Sequence, residues 1–460
     1  MIGRHTAKQP REPARWWADA VGTVAIASMV VVVALWLHDT GLQALTVSGT
    51  SAATSLGRLT GLLASDLLLI QVFLMARVPW VEGRFGQDRL TRWHRYTGFT
   101  SFWLMLGHIV LIVVGYAASG HTNVVSESWQ LTTTYPGMLL AAAGTALLIG
   151  VVVLSIRAAR RQLRYESWHL LHLYAYLGVG LALPHQLWTG TEFVASPAAR
   201  AYWWSAYILC AGSVLVFRLG LPLWRSHRHR LRVRKVTWEA PGVFSIHISG
   251  RDLHRLPARA GQFLNWRFLT GTGWTRAHPY SLSAPPRGDL LRITVRANGD
   301  DADRVAGARP GTRVLIEGPY GRLTGRVRTQ RQILLLGAGI GITPLRALLE
   351  ELPYRPGEAA LVYRANAPSD FALRSELDAI ARHRGAQVHY LDGPSPARGS
   401  WLPASLAHLP DRDVLLRIAP NVVDRDVYLC GPPPWMDAVR TALQAAQVPS
   451  RQIHCEAFAW

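Results

Sequence analysis

The sequence predicts a membrane-embedded bundle of six α-helices, followed by a small antiparallel β-barrel and an α/β domain with a parallel sheet. Apolar residues make up 49% of the 460-residue chain, and the long apolar runs are concentrated in its first 220 positions. Short alternating strands follow from about residue 230, and a strand, glycine turn and helix pattern begins near residue 330. We therefore expect three domains, at residues 1–222, 228–328 and 329–460.

Six apolar segments define the predicted bundle. Each is close to the ~20 residues that a helix needs to cross the hydrocarbon core of a bilayer. The segments cover residues 20–37, 57–75, 96–116, 138–156, 169–187 and 202–219. A lipid bilayer is therefore the first predicted partner of this chain.

The formal net charge of +20 is distributed unevenly along the chain. Basic residues cluster before the first segment, between the second and third, between the fourth and fifth, and after the sixth, whereas the stretch 115–137 contains no Lys or Arg. This asymmetry predicts a multi-pass protein of the plasma membrane with both termini in the cytoplasm. Because the distribution explains much of the charge, we do not expect nucleic acid as a partner, and we interpret "RSHRHRLRVRK" as a solvated linker at the membrane surface.

The three cysteines restrict the classes of site. Cys210, Cys430 and Cys455 form no CxxC pair. This argues against a disulfide scaffold, a zinc finger and a plant-type iron–sulfur domain, and the lack of CxxCH argues against covalently attached haem.

The third and fifth segments each carry histidines at two depths. A rise of 1.5 Å per residue separates His94 from His108 by roughly 21 Å, and His172 from His185 by roughly 19.5 Å. Both segments run from the cytoplasm outwards, so side by side they would form an inner pair, His94 with His172, and an outer pair, His108 with His185. Two such pairs supply the axial nitrogens that two b-type haems require.

Helix rotation fits this pairing less well than helix rise. Thirteen residues turn His185 about 140° away from His172 in an ideal helix, and Pro184 provides a cause for the required bend. His169 is the alternative inner ligand, although its separation of roughly 24 Å from His185 matches the third segment less closely. Arg58, near the outer end of the second segment, either meets a haem propionate or an anionic oxygen species, or extends to the interface.

The cytoplasmic half begins with five strand patterns separated by Gly and Pro turns. "LRVRKVTW", "VFSIHISG", "GQFLNWRF", "LLRITVRAN" and "TRVLIEGPYG" predict a small antiparallel barrel. Near its middle, "RAHPYSLSAPP" places Tyr280 before the hydroxyls of Ser281 and Ser283. An aromatic ring followed by hydroxyls can stack beside an isoalloxazine ring and bond to its edge, so we expect FAD here.

The nucleotide-binding pattern lies in "QILLLGAGIGITPLRALLEEL". Its glycines allow a tight turn and let backbone amides approach phosphates at the helix N-terminus. The spacing is GxGxG rather than GxGxxG, and the residues concerned are Gly337, Gly339, Gly341, Thr343 and Pro344. The βα alternation continues to the end of the chain, and Arg364 at a strand end either faces a 2′-phosphate or is a surface charge.

Several motifs together resemble a known superfamily. "HPYSLS", "GPYG", "GAGIGITP", "CGPP" and "EAFAW" resemble the signatures of the ferredoxin-NADP reductase superfamily. Joined to six apolar segments with paired histidines, the chain resembles the ferric reductase and NADPH oxidase superfamily. The resemblance depends on the order and spacing of these motifs and not on any single one of them.

The resemblance implies roles for particular residues. It implies that the flavin is held by His278, Pro279, Tyr280 and Ser281, with Arg296 and Gly299 on the phosphate side. It implies that the glycine turn binds the nicotinamide nucleotide and that Cys430, Gly431 and Pro432 lie beside the nicotinamide. Phe458 or Trp460 resembles the terminal aromatic that covers the flavin. By position, Arg77, Arg92 and Arg95 would serve the propionates of the inner haem.

The resemblance also implies the reaction. Cytosolic NADPH, or NADH, would deliver a hydride to FAD, and single electrons would pass through the inner and outer haems to an external acceptor. No outward loop carries a cluster of carboxylates or histidines suited to iron, which favours oxygen as acceptor over a ferric chelate. The alternative class is a transporter or proton channel that uses the membrane histidines as titrating relays.

Overall fold

The computed structural model describes residues 16–39, 41–156, 165–190, 193, 196–270, 276–297, 300–396 and 399–457. The chain divides into two compact units. The helical unit comprises the described parts of Pro13–Ala76 and Asp88–Val214, and the α/β unit comprises Arg77–Gln87 and the described parts of Leu215–Trp460.

The helical unit contains eight of the described helices. These are α1 (Trp16–His38), α2 (Gly41–Val47), α3 (Gly49–Leu74), α5 (Gln87–Ser119), α6 (Val124–Thr134), α7 (Met138–Ser155), α8 (Tyr165–Trp188) and α9 (Pro197–Val214). The short helix α4 (Pro79–Phe85) belongs to the α/β unit.

Four to five helices among the described residues are long and apolar enough to cross a membrane, where the sequence predicted six. Four of them are α3, α5, α7 and the helix Pro197–His229. The pair Gly22–His38 and Gly41–Val47, which is bent by 54°, adds a fifth when it is counted as one span. The predicted segment 169–187 does form helix α8. It does not pass the same test of length and composition, and we attribute this to the histidines, Gln186 and Pro184 in its sequence.

Small residues and one polar cluster hold the helical unit together. A Cβ on Gly144 of α7 would lie 2.6 Å from the carbonyl oxygen of Gly178 on α8, which is the close approach that small residues allow between membrane helices. Asp66 on α3 is 1% exposed. Its Oδ1 accepts hydrogen bonds from Ser28 Oγ at 2.6 Å and Tyr202 Oη at 2.8 Å, so this carboxyl joins α1, α3 and α9.

The α/β unit begins with helix α10 (Leu221–His229) and two three-stranded antiparallel sheets. Their orders are β1-β2-β5 and β4-β3-β6. The strands are β1 (Arg232–Ala240), β2 (Val243–Ser249), β3 (Phe263–Phe268), β4 (His278–Ser281), β5 (Leu290–Arg296) and β6 (Val314–Tyr320), and helix α11 covers Asp300–Ala306. A bridge between Leu282 and Ile293 connects the sheets, and one apolar core that includes Phe244 and Trp266 fills the space between them.

A five-stranded parallel sheet forms the rest of the α/β unit, in the order β11-β10-β7-β8-β9. Its strands are β7 (Gln332–Ala338), β8 (Ala359–Ala365), β9 (Gln387–Asp392), β10 (Arg425–Gly431) and β11 (Ile453–Ala457). The covering helices are α12 (Ile342–Glu351), α13 (Arg374–Arg384), α14 (Asp411–Ile418) and α15 (Pro433–Ala445). The strand order reverses between β7 and β10, and ligands of open parallel sheets bind outside the carboxyl ends of the strands at such a point.

Candidate functional site

The structure brings the predicted inner histidines together. His94 on α5 and His172 on α8 have ring centroids 5.9 Å apart, with their planes inclined at 69°. Two imidazoles on opposite sides of one iron, each with a metal–nitrogen distance of about 2 Å, have ring centres about 6 Å apart. The spacing of this pair therefore fits bis-histidine ligation of a haem, and it favours His172 over His169.

The hydrogen bonds of the inner pair show which ring nitrogen would be available to a haem iron. His94 Nδ1 lies 3.0 Å from the carbonyl oxygen of Gln71, and a carbonyl can only accept, so Nδ1 carries the proton. Ser155 Oγ donates to Val151 O, so its hydrogen is in use and His172 Nδ1, at 3.2 Å, is the donor to Ser155 Oγ. In both rings the lone pair is then on Nε2, as in metal-bound histidines whose other nitrogen is held by the protein.

The outer pair has the same arrangement. His108 Nδ1 donates to the carbonyl oxygen of Gly57 at 2.7 Å, and His185 Nδ1 donates to that of Ala182. A Cβ on Gly61 would lie 2.5 Å from His108 Nδ1, so only glycine leaves room for this ring beside α3. In all four predicted metal ligands, Nδ1 is thus bonded to the protein and Nε2 carries the lone pair.

Arg58 lies next to the outer histidine's hydrogen-bond partner. It follows Gly57, whose carbonyl binds His108, and its side chain is partly exposed. Arg92 and Arg95, near the inner end of α5, are exposed.

The predicted flavin motif forms strand β4, an edge strand of the sheet β4-β3-β6. His278 and Tyr280 lie on the same face with nearly parallel rings, 5.9 Å apart at 15°. Trp266 Nε1 donates to the carbonyl oxygen of Tyr280 at 3.0 Å and fixes the strand. Burial raises the pKa of Tyr280 to about 12, so its hydroxyl is a neutral donor. Pro279 is half-buried and Ser281 is buried.

A cavity of about 330 Å³ opens at the carboxyl ends of the parallel strands. Among the predicted residues it is lined by Arg296, Gly339, Arg364 and Pro432. Trp401 and Trp435 also line the cavity. No sequence pattern marks Trp401, and Trp435 could have been found only as the aromatic that follows "CGPPP". Two indole rings and two arginines give this cavity surfaces for a base and for phosphates, so it fits a nicotinamide nucleotide.

The glycine turn approaches strand β10 too closely for any side chain. A Cβ on Gly341 would lie 2.3 Å from the carbonyl oxygen of Cys430, and one on Gly431 would lie 2.9 Å from the Trp435 ring. Gly339 has φ +54°. Thr343 is buried, and its Oγ1 donates to Ile340 O at 2.9 Å, while Gly337 and Pro344 are buried where β7 passes into α12. These residues shape the turn and leave its backbone amides for a ligand.

Three predicted residues have different surroundings from those expected. The Cys430 side chain is fully buried in the core beneath the sheet, and burial, with smaller effects of Glu456 and Cys455, raises the pKa of its thiol. The Arg364 guanidinium donates to the carbonyl oxygens of Ala365 and Pro394, so the backbone holds it at the cavity wall.

Ser283 is the third. It is fully buried, and its Oγ accepts hydrogen bonds from Arg292 Nε at 3.1 Å and Thr294 Oγ1 at 2.8 Å. Both lone pairs are thus occupied by Arg292 and Thr294, and contact of this hydroxyl with FAD stays a prediction. Gly299, Phe458 and Trp460 lie outside the described residues.

A buried charged cluster was not predicted. Arg77 Nη1 lies 3.0 Å from Glu82 Oε1, and the Arg77 guanidinium lies 4.4 Å above the ring of Tyr320 in the "GPYG" motif. Tyr320 Oη donates to Glu317 Oε1 at 2.9 Å, and Arg218 Nη1 lies 3.3 Å from the same oxygen. Arg77, which was expected to serve a haem propionate, is thus a partner of Glu82.

Family comparisons agree with this arrangement. The family described as "Ferric reductase like transmembrane component" matches residues 60–183, and the "Oxidoreductase NAD-binding domain" matches residues 335–441. Residues 60–183 thus match a membrane family and residues 335–441 a nucleotide-binding family, within one chain.

Similar proteins cover the reductase half. The chain is 34% identical over 233 residues to the ferredoxin reductase component of the 3-ketosteroid-9-alpha-monooxygenase of Mycobacterium tuberculosis, which covers 47% of this chain and 60% of that protein. It is 29% identical over 244 residues to a flavohemoprotein of Chromobacterium violaceum, covering 49% and 59%. The chain thus spans about 60% of the length of the curated relatives it matches.

Among solved structures, the flavohem-like FAD/NAD binding domain of nitric oxide dioxygenase from Vibrio cholerae is 24% identical. It covers 50% of this chain and 99% of that chain, with a TM-score of 0.40.

Proposed function

We propose that this oxidoreductase passes electrons from cytosolic NAD(P)H through FAD and two b-type haems to molecular oxygen on the outer side of the plasma membrane. The observation that carries the proposal is the set of four histidines on α5 and α8, each with Nδ1 bonded to the protein and Nε2 presented as a ligand. This uniform tautomer is the one that metal-bound histidines adopt when the protein holds Nδ1, and a titrating relay does not require it.

Bound FAD would accept a hydride and release single electrons, which the haems would carry across the bilayer. The chain's own residues position these groups. His94 and His172 would hold the inner haem, and His108 and His185 the outer one, with Arg58 beside it. His278, Pro279, Tyr280 and Ser281 would support the flavin, with Tyr280 Oη as a neutral hydrogen-bond donor.

The cavity at the sheet edge would bind the nicotinamide nucleotide. Backbone amides of the turn at Gly339 would face its phosphates, and Trp435 would pack against a ring of the ligand. Arg364 and Arg296 line the same cavity and supply positive charge for a 2′-phosphate, which supports NADPH over NADH. Cys430 would act through its backbone next to Gly431 and Pro432, since its thiol is in the core.

The acceptor is proposed from the outer surface. Among the described residues, no three His, Cys, Asp or Glu side chains come together to hold a metal ion. A ferric-chelate reductase uses the same electron path and is the second candidate, since the matched membrane family is named for it. A small neutral acceptor such as oxygen needs no metal-binding cluster of His, Cys, Asp or Glu side chains at the outer haem edge.

Purified full-length protein supplied with haem, FAD and NADPH tests the proposal. We expect haem absorption bands in the reduced-minus-oxidised spectrum, NADPH oxidation, and cytochrome c reduction that superoxide dismutase suppresses. Reduction of a ferric chelate without superoxide would support the second candidate. A colourless protein would contradict both.

The proposal includes a topology of six spans with both termini in the cytoplasm. The histidine pairs require α8 to cross beside α5, and the basic residues favour the cytoplasm for the termini. Single cysteines introduced at 121 and 235, tested with an impermeant thiol reagent on intact cells, should react at 121 only.

A further inference from the structure

A charged cluster joins the two parts of the α/β unit. Glu376, on the first turn of α13, accepts hydrogen bonds from Arg292 Nη1 at 2.6 Å and Nη2 at 2.8 Å. Arg292 belongs to strand β5, next to the flavin motif, whereas α13 covers the parallel sheet. This bidentate pair is the strongest kind of arginine–carboxylate contact, because both hydrogen bonds are charge-assisted and the geometry is fixed.

On the flavin side, Arg292 is held by Ser283. Its Nε donates to Ser283 Oγ at 3.1 Å, and its Nη2 donates to Ser283 O at 2.9 Å. The backbone N–H of Ser283 donates in turn to the carbonyl oxygen of Arg292 at 2.9 Å. Ser283 lies two residues after Ser281, the end of strand β4. The orientation of Arg292 is therefore coupled to the end of the segment that supports the flavin.

On the nucleotide side, the cluster reaches helix α12. Arg346 Nε lies 2.9 Å from Glu376 Oε2, and Arg346 also pairs with Glu350 on the next turn. Glu350 Oε1 in turn lies 2.9 Å from Arg287 Nη2 on the flavin side. Helix α12 begins at Ile342, directly after the glycine turn. A single carboxylate, Glu376, thus contacts both the arginine behind the flavin motif and the helix that starts at the phosphate turn.

We propose that Glu376 is a positioning residue for hydride transfer, which sets the nicotinamide at reacting distance from the flavin by clamping Arg292 to the nucleotide-binding part. The inference rests on the proposed binding of FAD by strand β4. In hydride transfer the donor carbon of the nicotinamide and the acceptor nitrogen of the flavin must approach closely. A displacement of about 1 Å can lower the rate on the order of a hundredfold. The clamp formed by Arg292 and Glu376 acts on this distance without contacting the flavin or the nicotinamide nucleotide.

The test compares two glutamates of similar chemistry in the full-length protein loaded with FAD. Glu376→Gln keeps the shape of the side chain and removes its charge. Glu376→Asp keeps the charge on a shorter side chain. Glu358→Gln is the matched control, because Glu358 pairs with Arg331 at 2.7 Å entirely within the nucleotide-binding part. Anaerobic stopped-flow mixing with NADPH gives the limiting rate of flavin reduction and the NADPH concentration at half-maximal rate.

We expect Glu376→Gln to lower the limiting rate by roughly tenfold to a hundredfold and to leave the half-saturating NADPH concentration within about twofold. The long-wavelength absorbance of the flavin–nicotinamide complex should weaken. Glu376→Asp should recover part of the rate, and Glu358→Gln should match the wild type. The FAD dissociation constant and the unfolding midpoint should be alike in all variants, which separates positioning from stability.

A wild-type limiting rate in Glu376→Gln would overturn the inference. So would a loss of rate that follows FAD release or a lowered unfolding midpoint, since the glutamate would then be only structural. A wild-type protein that binds FAD but is not reduced by NADPH would instead overturn the proposed function, and the inference with it.

Discussion

His94 and His172 face each other across α5 and α8 with ring centroids 5.9 Å apart, and both hold their Nδ1 protons in hydrogen bonds to the protein. Neither the spacing nor the tautomer is required for helix packing. Both are required if one iron is to take an axial nitrogen from each ring.

Replacing either inner histidine should therefore remove one haem and spare the other. We expect His94→Ala and His172→Ala each to bind about half the haem of the wild type, while His108→Ala retains the inner haem. The pyridine haemochromogen assay, normalised to bound FAD, measures this ratio. His169→Ala is the matched control on α8 and should keep both haems. A full haem content in His172→Ala together with a loss in His169→Ala would reverse the assignment of the inner ligand.

The histidines and the glycine turn could be predicted because their signals are local. Helix rise alone matches the depths of the two pairs, and the GxGxG spacing follows a strand directly. The clamp between Arg292 and Glu376 could not be predicted, because 84 residues separate its partners and each one is indistinguishable from a surface charge in sequence. Glu82 was missed for a different reason: an acidic residue in a basic loop carries no periodic pattern that indicates burial.

The polar character of α8 limited the prediction of the membrane spans. The polar residues of this helix, His172 and His185 above all, lower its hydropathy, so it is less apolar than the other long helices. The sequence predicted six segments from the length of their apolar runs, with these histidines counted within the fifth. Sites in membrane helices therefore weaken the signal by which those helices are recognised.

Asp426 should make the stability of the α/β unit sensitive to acid. It is fully buried at the start of β10. Burial alone would raise its pKa, but hydrogen bonds from His454 and from the backbone N–H groups of Gln330 and Thr329 lower it below the ordinary 3.8. The stabilisation is thus present above pH 3.8 and is lost as the pH falls through the lower folded-state pKa.

Asp426→Asn should lower the free energy of unfolding by roughly 2 kcal/mol at neutral pH and should flatten the pH dependence below about pH 4. Thermal unfolding in detergent, followed by tryptophan fluorescence between pH 3 and pH 8, measures both. Asp437→Asn on exposed α15 is the control. An acid slope that survives in Asp426→Asn would show that another carboxyl is responsible.

Glu82 should make the free energy of unfolding fall as the pH rises, which is the opposite of the effect of Asp426. Burial raises its pKa from 4.5 to about 7, although the attraction of Arg77 partly opposes the rise. The folded chain therefore binds more protons than the unfolded chain between these values, and the free energy of unfolding should fall as the pH rises from 4.5 to about 7. Glu82→Gln keeps an acceptor for Arg77 and should remove this slope, with unfolding midpoints compared at pH 5 and pH 8. An unchanged slope in the variant would contradict the assignment.

Gly341 gives the sharpest test of the nucleotide turn. A Cβ at this position would lie 2.3 Å from the carbonyl oxygen of Cys430. This oxygen belongs to the main chain of strand β10, which is paired on both sides in the sheet, so it cannot rotate away. Gly341→Ala must therefore push the turn away from the sheet, at a cost of roughly 1–3 kcal/mol, and should weaken NADPH binding by at least tenfold while FAD remains bound. Gly307→Ala is the control, since its Cβ would meet only ordinary contacts at 3.6 Å. Titration of NADPH by fluorescence measures both variants, and wild-type affinity in Gly341→Ala would place the nucleotide elsewhere.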